Sequence, residues 1–308
     1  MRFVSRFSDY RLGESFAMAY AFLGSLTPVL AALSFQAVSP LQSAAVTTGI
    51  SAFVFAAIAS FRREWQWRIP VTCARDIAIA GMAIGFVFYG LFFVGLKHTT
   101  PGNAAIIGLM EVFFCYLFLN VLTRHESLST SHVLGSILMV AGAAIVLLPG
   151  FSDWKSGDIL VLLASAVPPF ANAAQQRARR HVSASFLLFW RSVIATVALF
   201  MLAHFLDGPL PTSVDTRTVS ILLLNGIFAF GLAKVFWIEA IHRIPITKTI
   251  AFSCIQPLLT ILFAYLFLRQ SATVVQLLSF VPMAAGMFLL MRSPGTEIPQ
   301  STSSPVSH

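Results

Sequence analysis

Three ionisable side chains interrupt long apolar runs of the sequence. They are Glu111, Arg191 and Lys234, each flanked on both sides by hydrophobic residues. If these runs cross a bilayer, an ionisable group costs about 2.5–3.5 kcal/mol there on insertion scales and must point away from lipid. A carboxylate in such a place can contact an ammonium group or carry a proton, and an arginine fork can hold a carboxylate.

Glu111 is the deepest of the three. It lies roughly 3 Å from the midpoint of its run, at a rise of about 1.5 Å per residue. A glutamate side chain is too short to reach an interface from there, so it must be paired with a cation or protonated. We predict a substrate-ammonium contact or a proton-coupling acid. A structural ion pair and a protonated acid that bridges two helices are the alternatives.

Lys234 and Arg191 lie less deep. Lys234 is roughly 7 Å from the midpoint of its run, and its flexible stem could carry the ammonium group to the interface, so a cavity role and an interfacial role both fit. Arg191 has a similar depth, and a substrate contact or a structural role would explain it. Glu239 and Arg243 stand four residues apart at the end of the Lys234 run and are predicted to form a local surface pair.

The composition indicates that these runs lie in a membrane. Of 308 residues, 57% are hydrophobic and 10% are charged, and the mean hydropathy is +0.82. A soluble domain carries about 25% charged residues, so this surface cannot face water throughout. The sequence predicts an all-α integral membrane protein with ten transmembrane helices. The ten apolar runs cover 13–35, 41–61, 77–96, 103–123, 132–149, 157–176, 184–206, 218–240, 246–268 and 273–291.

Basic residues set the predicted orientation. Outside the runs or in their first turn, fourteen lysine and arginine residues fall on one side and four on the other. Because the basic side of a membrane protein stays in the cytoplasm, we expect both termini there and the chain in the cell (inner) membrane. Residues 1–12 are then a cytoplasmic N-terminus. Residues 293–308, rich in Ser, Pro and Thr, are predicted to be a disordered cytoplasmic tail.

The sequence repeats itself at an offset of 144 residues. The coinciding landmarks include Gly13-Glu14 with Gly157-Asp158, His98 with His242, Pro101 with Pro245, and Gly142 with Gly286. Each half, 13–149 and 157–292, holds five runs, and an odd number inverts the second half in the membrane. Inverted repeats of this kind are typical of secondary carriers with a midplane site. A duplication kept for folding alone is the alternative.

This repeat and two local patterns resemble the EamA-type members of the drug/metabolite transporter superfamily. One pattern is the tight joint Gly-Leu-Lys-His-Thr-Thr-Pro at 95–101, with the counterpart Ala-Ile-His-Arg-Ile-Pro at 240–245. The other is the ninth run, centred on Pro257 and followed by a glycine-bearing last run. The resemblance covers residues 13–292. The family's usual proline in the fourth run is Phe113 here, so the helix break that it supports has no proline in this half.

The resemblance implies a carrier whose cavity is lined by the third, eighth and ninth runs. Polar and aromatic residues on these runs, on the first turn of the fourth or on the first run become candidates, although each alone is more often a packing or interhelical hydrogen-bonding residue. They are Tyr20, Tyr89, Asn103, Asn225, Trp237 and Gln256. Pro257 makes a kink that is either a hinge or part of the site. For Arg191 the resemblance favours a helix-holding role.

The sequence lacks the signature motifs of several other functional classes. The sequence has no Walker loop, no His-Glu-x-x-His, no Gly-x-Ser-x-Gly and no cysteine cluster, so we predict no enzyme activity, no cofactor and no metal. Cys73, Cys115 and Cys254 are interpreted as small buried hydrophobes. The basic residues are dispersed between the runs, so nucleic acid is not an expected partner.

We therefore expect a secondary active transporter, in the direction of export, for small polar metabolites such as amino acids. It would work by alternating access in a lipid bilayer, with protons as a coupling option. One anionic and one cationic group, Glu111 and Lys234, would suit a zwitterion. A membrane-embedded enzyme acting on a lipid and a non-transporting scaffold are the alternatives, and the oligomeric state is left open.

Overall fold

The computed structural model describes residues 2–66, 68–118, 130–147, 156–244, 249 and 252–291, with the side chains of 2–9, 132 and 291 excepted. Within these ranges all regular structure is helical. Six helices are long and apolar enough to cross a membrane and four shorter ones are apolar, which agrees with the ten predicted spans. They are α1 Tyr10–Ser34, α2 Pro40–Phe61, α3 Val71–Lys97, α4 Pro101–Tyr116, α5 Thr130–Leu147, α6 Ser156–Ala178, α7 Ala184–Asp207, α8 Thr216–Arg243, α9 Gln256–Leu268 and α10 Val274–Met291. The predicted tail 293–308, Pro245 and half of the residues 246–255 before Gln256 lie outside the described residues.

The first and sixth spans are each interrupted between two helical segments. The first is formed by Arg2–Ser25, which begins before the apolar stretch, and then by Thr27–Ser34. The sixth contains Ser156–Ser165 and then Pro168–Ala178. In both cases a proline stands in the first turn of the second segment, where its missing N–H leaves no helix hydrogen bond unmade.

α3 begins at Val71, six residues before its predicted run, and this corrects the predicted boundary at 77. The apolar run starts after Arg75 and Asp76 because both are charged. In the structure, Asp76 is 4% exposed and accepts hydrogen bonds from Nε and Nη2 of Arg177, at the end of α6, at 3.1 and 2.7 Å. A carboxylate paired in this way can stand inside a packed helix, so the helix extends through it.

Replacement of Arg177 by methionine is expected to destabilise the protein by about 1–3 kcal/mol, because it leaves the buried Asp76 carboxylate without its cation. Thermal unfolding of the purified protein in detergent measures the loss. The double variant Asp76→Asn/Arg177→Met removes both charges and should recover most of it. A double variant no more stable than the single one would contradict this account.

The two halves coincide at the predicted offset of 144 residues. Thr130–Leu147 and Val274–Met291 begin and end at equivalent positions. The same is true of a π-helical segment in α3, Gly81–Phe88, and one in α8, Asn225–Leu232. Because each half contributes five spans, the second is inverted relative to the first. The predicted inverted repeat is confirmed, and it includes π-helical segments that the sequence pattern did not predict.

α5 and α10 pack through glycine and methionine at equivalent positions. A Cβ on Gly142 would collide with Met283, and one on Gly286 would lie 2.8 Å from Met139 Cγ and 2.6 Å from the carbonyl oxygen of Gly135. Glycine removes the side chain at these points and so lets the two backbones approach closely, as small residues do between membrane helices. The contact between the last helices of the two halves is therefore pseudo-symmetric.

α2 and α7 form the second symmetric pair. Each starts after a serine N-cap, Ser39 and Ser183, whose hydroxyl accepts a hydrogen bond from the backbone N–H three residues later. Between the two helices, the Thr196 hydroxyl donates to the Thr48 hydroxyl at 3.2 Å. A hydrogen bond of this kind stabilises helix pairing inside a bilayer.

The remaining symmetric contacts join α1 to α8 and α6 to α3. A Cβ on Gly13 of α1 would lie 2.8 Å from Arg243 Cβ of α8, and one on Gly157 of α6 would lie 2.7 Å from the carbonyl oxygen of His98, just after α3. Each helix that carries a π-helical segment is thus packed against a helix of the opposite half.

Candidate functional site

Lys234 lies just after the π-helical segment of α8 and faces α1. Its Nζ is 5.6 Å from the centroid of the Tyr20 ring, which is cation–π range. The ammonium group is also within electrostatic range of Tyr89 in α3, Arg191 in α7 and Glu111 in α4. Five helices thus bring together what we call the charged cluster: Tyr20, Tyr89, Glu111, Arg191 and Lys234. The three intramembrane charges that the sequence singles out lie in one region.

Lys234 and Glu111 have no fixed ionic partner in the described part of the chain. There, no carboxylate lies within 4.0 Å of Lys234 Nζ, and no cation lies within that distance of the Glu111 carboxylate. Both side chains are partly accessible. Neither charge is therefore neutralised by a salt bridge within the described residues.

A break in α4 positions Glu111. The helix turns at Leu109, whose N–H donates to Ile106 O at 3.0 Å, and Glu111 stands in the first turn of the segment Met110–Tyr116. α9 has a comparable turn before its helix, where the Ile255 N–H donates to Phe252 O at 3.3 Å. The break expected from the family pattern is therefore present in the first half, although no proline supports it.

Arg191 is 6% exposed and begins a chain of polar contacts across three helices. Its Nη1 donates to Gln175 Oε1 at 3.0 Å, and Gln175 Nε2 donates to Asn172 Oδ1 at 3.1 Å. Asn172 in turn lies against Cys115 of α4, with Nδ2 and Sγ 3.9 Å apart. Sequence reasoning missed Asn172 and Gln175. Their signal is two amides three residues apart, on one face of an apolar helix.

Aromatic rings lie beside the charged cluster. Trp237, one turn further along α8, has its ring centroid 4.9 Å from that of Tyr20. Tyr89 and Phe230 are 4.7 Å apart by the same measure, and Tyr89 is 7% exposed. The predicted candidates Tyr89 and Trp237 therefore lie beside the charged cluster, and the region combines charge with apolar ring surface.

Three further candidates lie apart from the charged cluster or within tight packing. Asn103 accepts a hydrogen bond from Gln276 of α10 at 2.8 Å, roughly 12 Å along the helix from Glu111 at about 1.5 Å per residue. Gln256 packs against α1, since a Cβ on Gly24 would lie 3.2 Å from its Nε2. Asn225 is 1% exposed, in the first position of its π-helical segment.

Pro257 is buried in the first turn of α9, directly after the turn at Cys254 and Ile255. A proline here interferes with no hydrogen bond of the helix that it begins. The position is compatible with a hinge between the described part of α9 and the chain before it.

Glu239 forms the predicted ion pair with Arg243, at 2.5 Å between carboxylate and guanidinium. Arg62, just after α2, binds the other carboxylate oxygen at 2.8 Å. Together with Asp76 and Arg177, these contacts join α2 to α8 and α3 to α6 at the helix ends where basic residues predominate.

A comparison with known families supports a membrane transporter. The sequence model of the EamA-like transporter family matches residues 11–148 and again residues 155–292. The chain belongs to the EamA-like transporter family. Two matches in one chain agree with the inverted repeat of the fold.

Similar proteins are named as transporters. An uncharacterized transporter of Synechocystis sp. is 23% identical over 244 aligned residues, in a match that covers 74% of this chain and 66% of that protein. The uncharacterized transporter YyaM of Bacillus subtilis is 22% identical over 238 aligned residues, in a match that covers 74% of this chain and 76% of that protein. A solved crystal structure superposes with a TM-score of 0.65 at 20% identity, covering 92% of this chain and 97% of that one, which supports the fold alone. The EamA-like protein is a multi-pass membrane transporter for a small molecule.

Proposed function

We propose that this protein is a secondary carrier that exports small polar metabolites, such as amino acids, by alternating access. The charged cluster carries the proposal. Lys234 and Glu111 are within electrostatic range of each other, yet in the described residues neither has an ionic partner within 4.0 Å. Charges left open in a membrane interior are costly unless a ligand uses them.

An amino acid suits this arrangement because it carries both charges. Lys234 would bind the carboxylate and Glu111 the ammonium group, while the rings of Tyr89 and Trp237 would contact the rest of the molecule. Arg191 would hold α7 to α6 through Gln175 and lend its charge to the carboxylate side. The hydrogen bond of Asn103 to Gln276 favours a packing role for Asn103.

Protons are the proposed coupling ion and Glu111 the residue that carries them. Its carboxylate can be neutralised by a proton, by a substrate ammonium group or by Lys234, and these exclude one another. The Lys234 ammonium and the Cys115 thiol, one turn further along α4, are within electrostatic range of it. Protonation from outside would then release the substrate, so an inward proton gradient would drive export.

Alternation between the two sides would use the repeat. We take 13–149 and 157–292 as the moving units, with 1–12 and 293–308 outside them. The turn at Leu109 beside Glu111 and the turn before Gln256 and Pro257 are the proposed hinges. Motion of two similar inverted units about a central site is the general mechanism of such carriers.

We also propose that the protein resides in the cell (inner) membrane with both termini in the cytoplasm. The support is the bias of fourteen basic residues to four, counted outside the apolar runs or in their first turn. Arg62, Arg177 and Arg179 are at helix ends on the basic side.

Flux from proteoliposomes tests this function. The purified protein is reconstituted, the vesicles are loaded with a mixture of labelled amino acids, and efflux is followed with and without an inward proton gradient. We expect saturable efflux above that of protein-free vesicles, faster with the gradient and slowed by an uncoupler. Efflux equal to that of protein-free vesicles for every compound would refute the carrier function.

A further inference from the structure

The charged cluster has one positive charge more than negative charges. Arg191 and Lys234 each contribute one cation, and Glu111 contributes one carboxylate. Other acidic side chains of the described spans lie toward helix ends and are occupied. Asp76 is held by Arg177, Glu239 is held by two arginines, and Asp158 accepts a hydrogen bond from Thr99, so none of these three carboxylates offers a counter-charge to the cluster.

The inverted repeat supplies no second acidic residue to balance the extra positive charge. At the offset of 144 residues, the equivalent positions are Thr47 for Arg191, Gly90 for Lys234 and Ile255 for Glu111. None of these equivalents is ionisable, so the other half repeats none of the three charges at the equivalent position. The site is asymmetric although the scaffold around it is not.

The surplus charge belongs to two neighbouring cations. Lys234 and Arg191 are within electrostatic range of each other and repel. Arg191 gives one N–H group to a neutral partner, Gln175, and a guanidinium has five such donors. A carboxylate between the two side chains would relieve the repulsion and satisfy further donors, whereas an uncompensated charge in this interior is strongly unfavourable.

We propose that the transported molecule carries one net negative charge, with a carboxylate held between Lys234 and Arg191. An amino acid with a second carboxylate on its side chain has this charge, since its ammonium group can still meet Glu111. The inference rests on the proposed carrier function and narrows its substrate class to organic anions. Neutral and cationic amino acids of the same size would leave a charge unbalanced in the cluster.

Compounds of one size and different charge test the proposal. Proteoliposomes with the wild-type protein are assayed with glutamate, glutamine and lysine, and with aspartate against asparagine. We expect initial rates at least about tenfold higher for each anion than for its amide, and the lowest rates for lysine. Equal or higher rates for the amides would overturn the charge proposal and leave the carrier function standing. No flux of any compound would overturn both.

Removal of one cation from the cluster should change the preference for an anion over its amide, rather than only lower the transport rate. Lys234→Met makes the cluster neutral, so the ratio of glutamate to glutamine flux is expected to fall by about tenfold. Lys97→Met, which removes an exposed lysine at the end of α3, is the matched control and should keep the wild-type ratio. An unchanged ratio in Lys234→Met, measured on protein that retains glutamine flux or binding, would contradict the proposal. If Lys234→Met transports neither compound, glutamate binding to the detergent-purified variant is measured instead. The proposal requires this binding to be about tenfold weaker than in the wild-type protein.

Discussion

Glu111→Gln is expected to lower gradient-driven transport by roughly a hundredfold, because glutamine keeps the size of the side chain but can neither take up nor release a proton. Folding should be unaffected, since no fixed ionic partner in the described residues depends on this carboxylate. The measurement is efflux from proteoliposomes with an imposed proton gradient, together with the amount of protein in the membrane.

The control for this variant is Glu64→Gln, which removes a carboxylate in the segment between α2 and α3. It should transport at the wild-type rate. Exchange of labelled for unlabelled substrate without a gradient separates binding from coupling, because a coupling residue affects net flux more than exchange. Wild-type net flux in Glu111→Gln would remove this residue from the mechanism.

Gly286→Ala is expected to destabilise the protein by about 2–3 kcal/mol, because a single added methyl group overpacks the contact between α10 and α5. A Cβ there would lie 2.6 Å from the Gly135 carbonyl oxygen and 2.9 Å from the Met139 nitrogen. Both are backbone atoms, which cannot move aside as the end of a flexible side chain can. Thermal unfolding in detergent measures the effect.

Gly108→Ala is the matched control, since a Cβ on Gly108 would have no atom within 4 Å. Alanine in a helix is more favourable than glycine by about 0.5–1 kcal/mol, so this variant should be neutral or slightly more stable. Equal unfolding temperatures for Gly286→Ala and Gly108→Ala would mean that the close packing of the two helices does not stabilise the protein.

The sequence predicts the spans and their repetition because lipid imposes a simple rule on composition and length. It also predicts that Glu111, Arg191 and Lys234 avoid lipid. The sequence places the start of α3 six residues too late, because the pairing of Asp76 with Arg177 depends on contact between segments that are distant in the chain. An ion pair of this kind offsets the free-energy cost of burying each charge, whereas a hydropathy scale assigns the full cost to each charged residue.

Local backbone form was the least predictable feature. The π-helical segments Gly81–Phe88 and Asn225–Leu232 contain ordinary apolar residues and glycines, and nothing in their spacing distinguishes i→i+5 from i→i+4 hydrogen bonding. The turn at Leu109 arises without the expected proline. At the site, the partner of Arg191 was missed, since an amide in an apolar helix is common and only the structure brings Gln175 to it.

Alternating exposure of the charged cluster is the central claim, and thiol labelling at Trp237 tests it most directly. Trp237→Cys is made in a chain without Cys73, Cys115 and Cys254, and a membrane-impermeant thiol reagent is applied to right-side-out and to inside-out vesicles. A carrier that opens to each side in turn predicts labelling from both sides, slowed by a bound substrate. Labelling from one side only, unchanged by a driving gradient, would contradict the account.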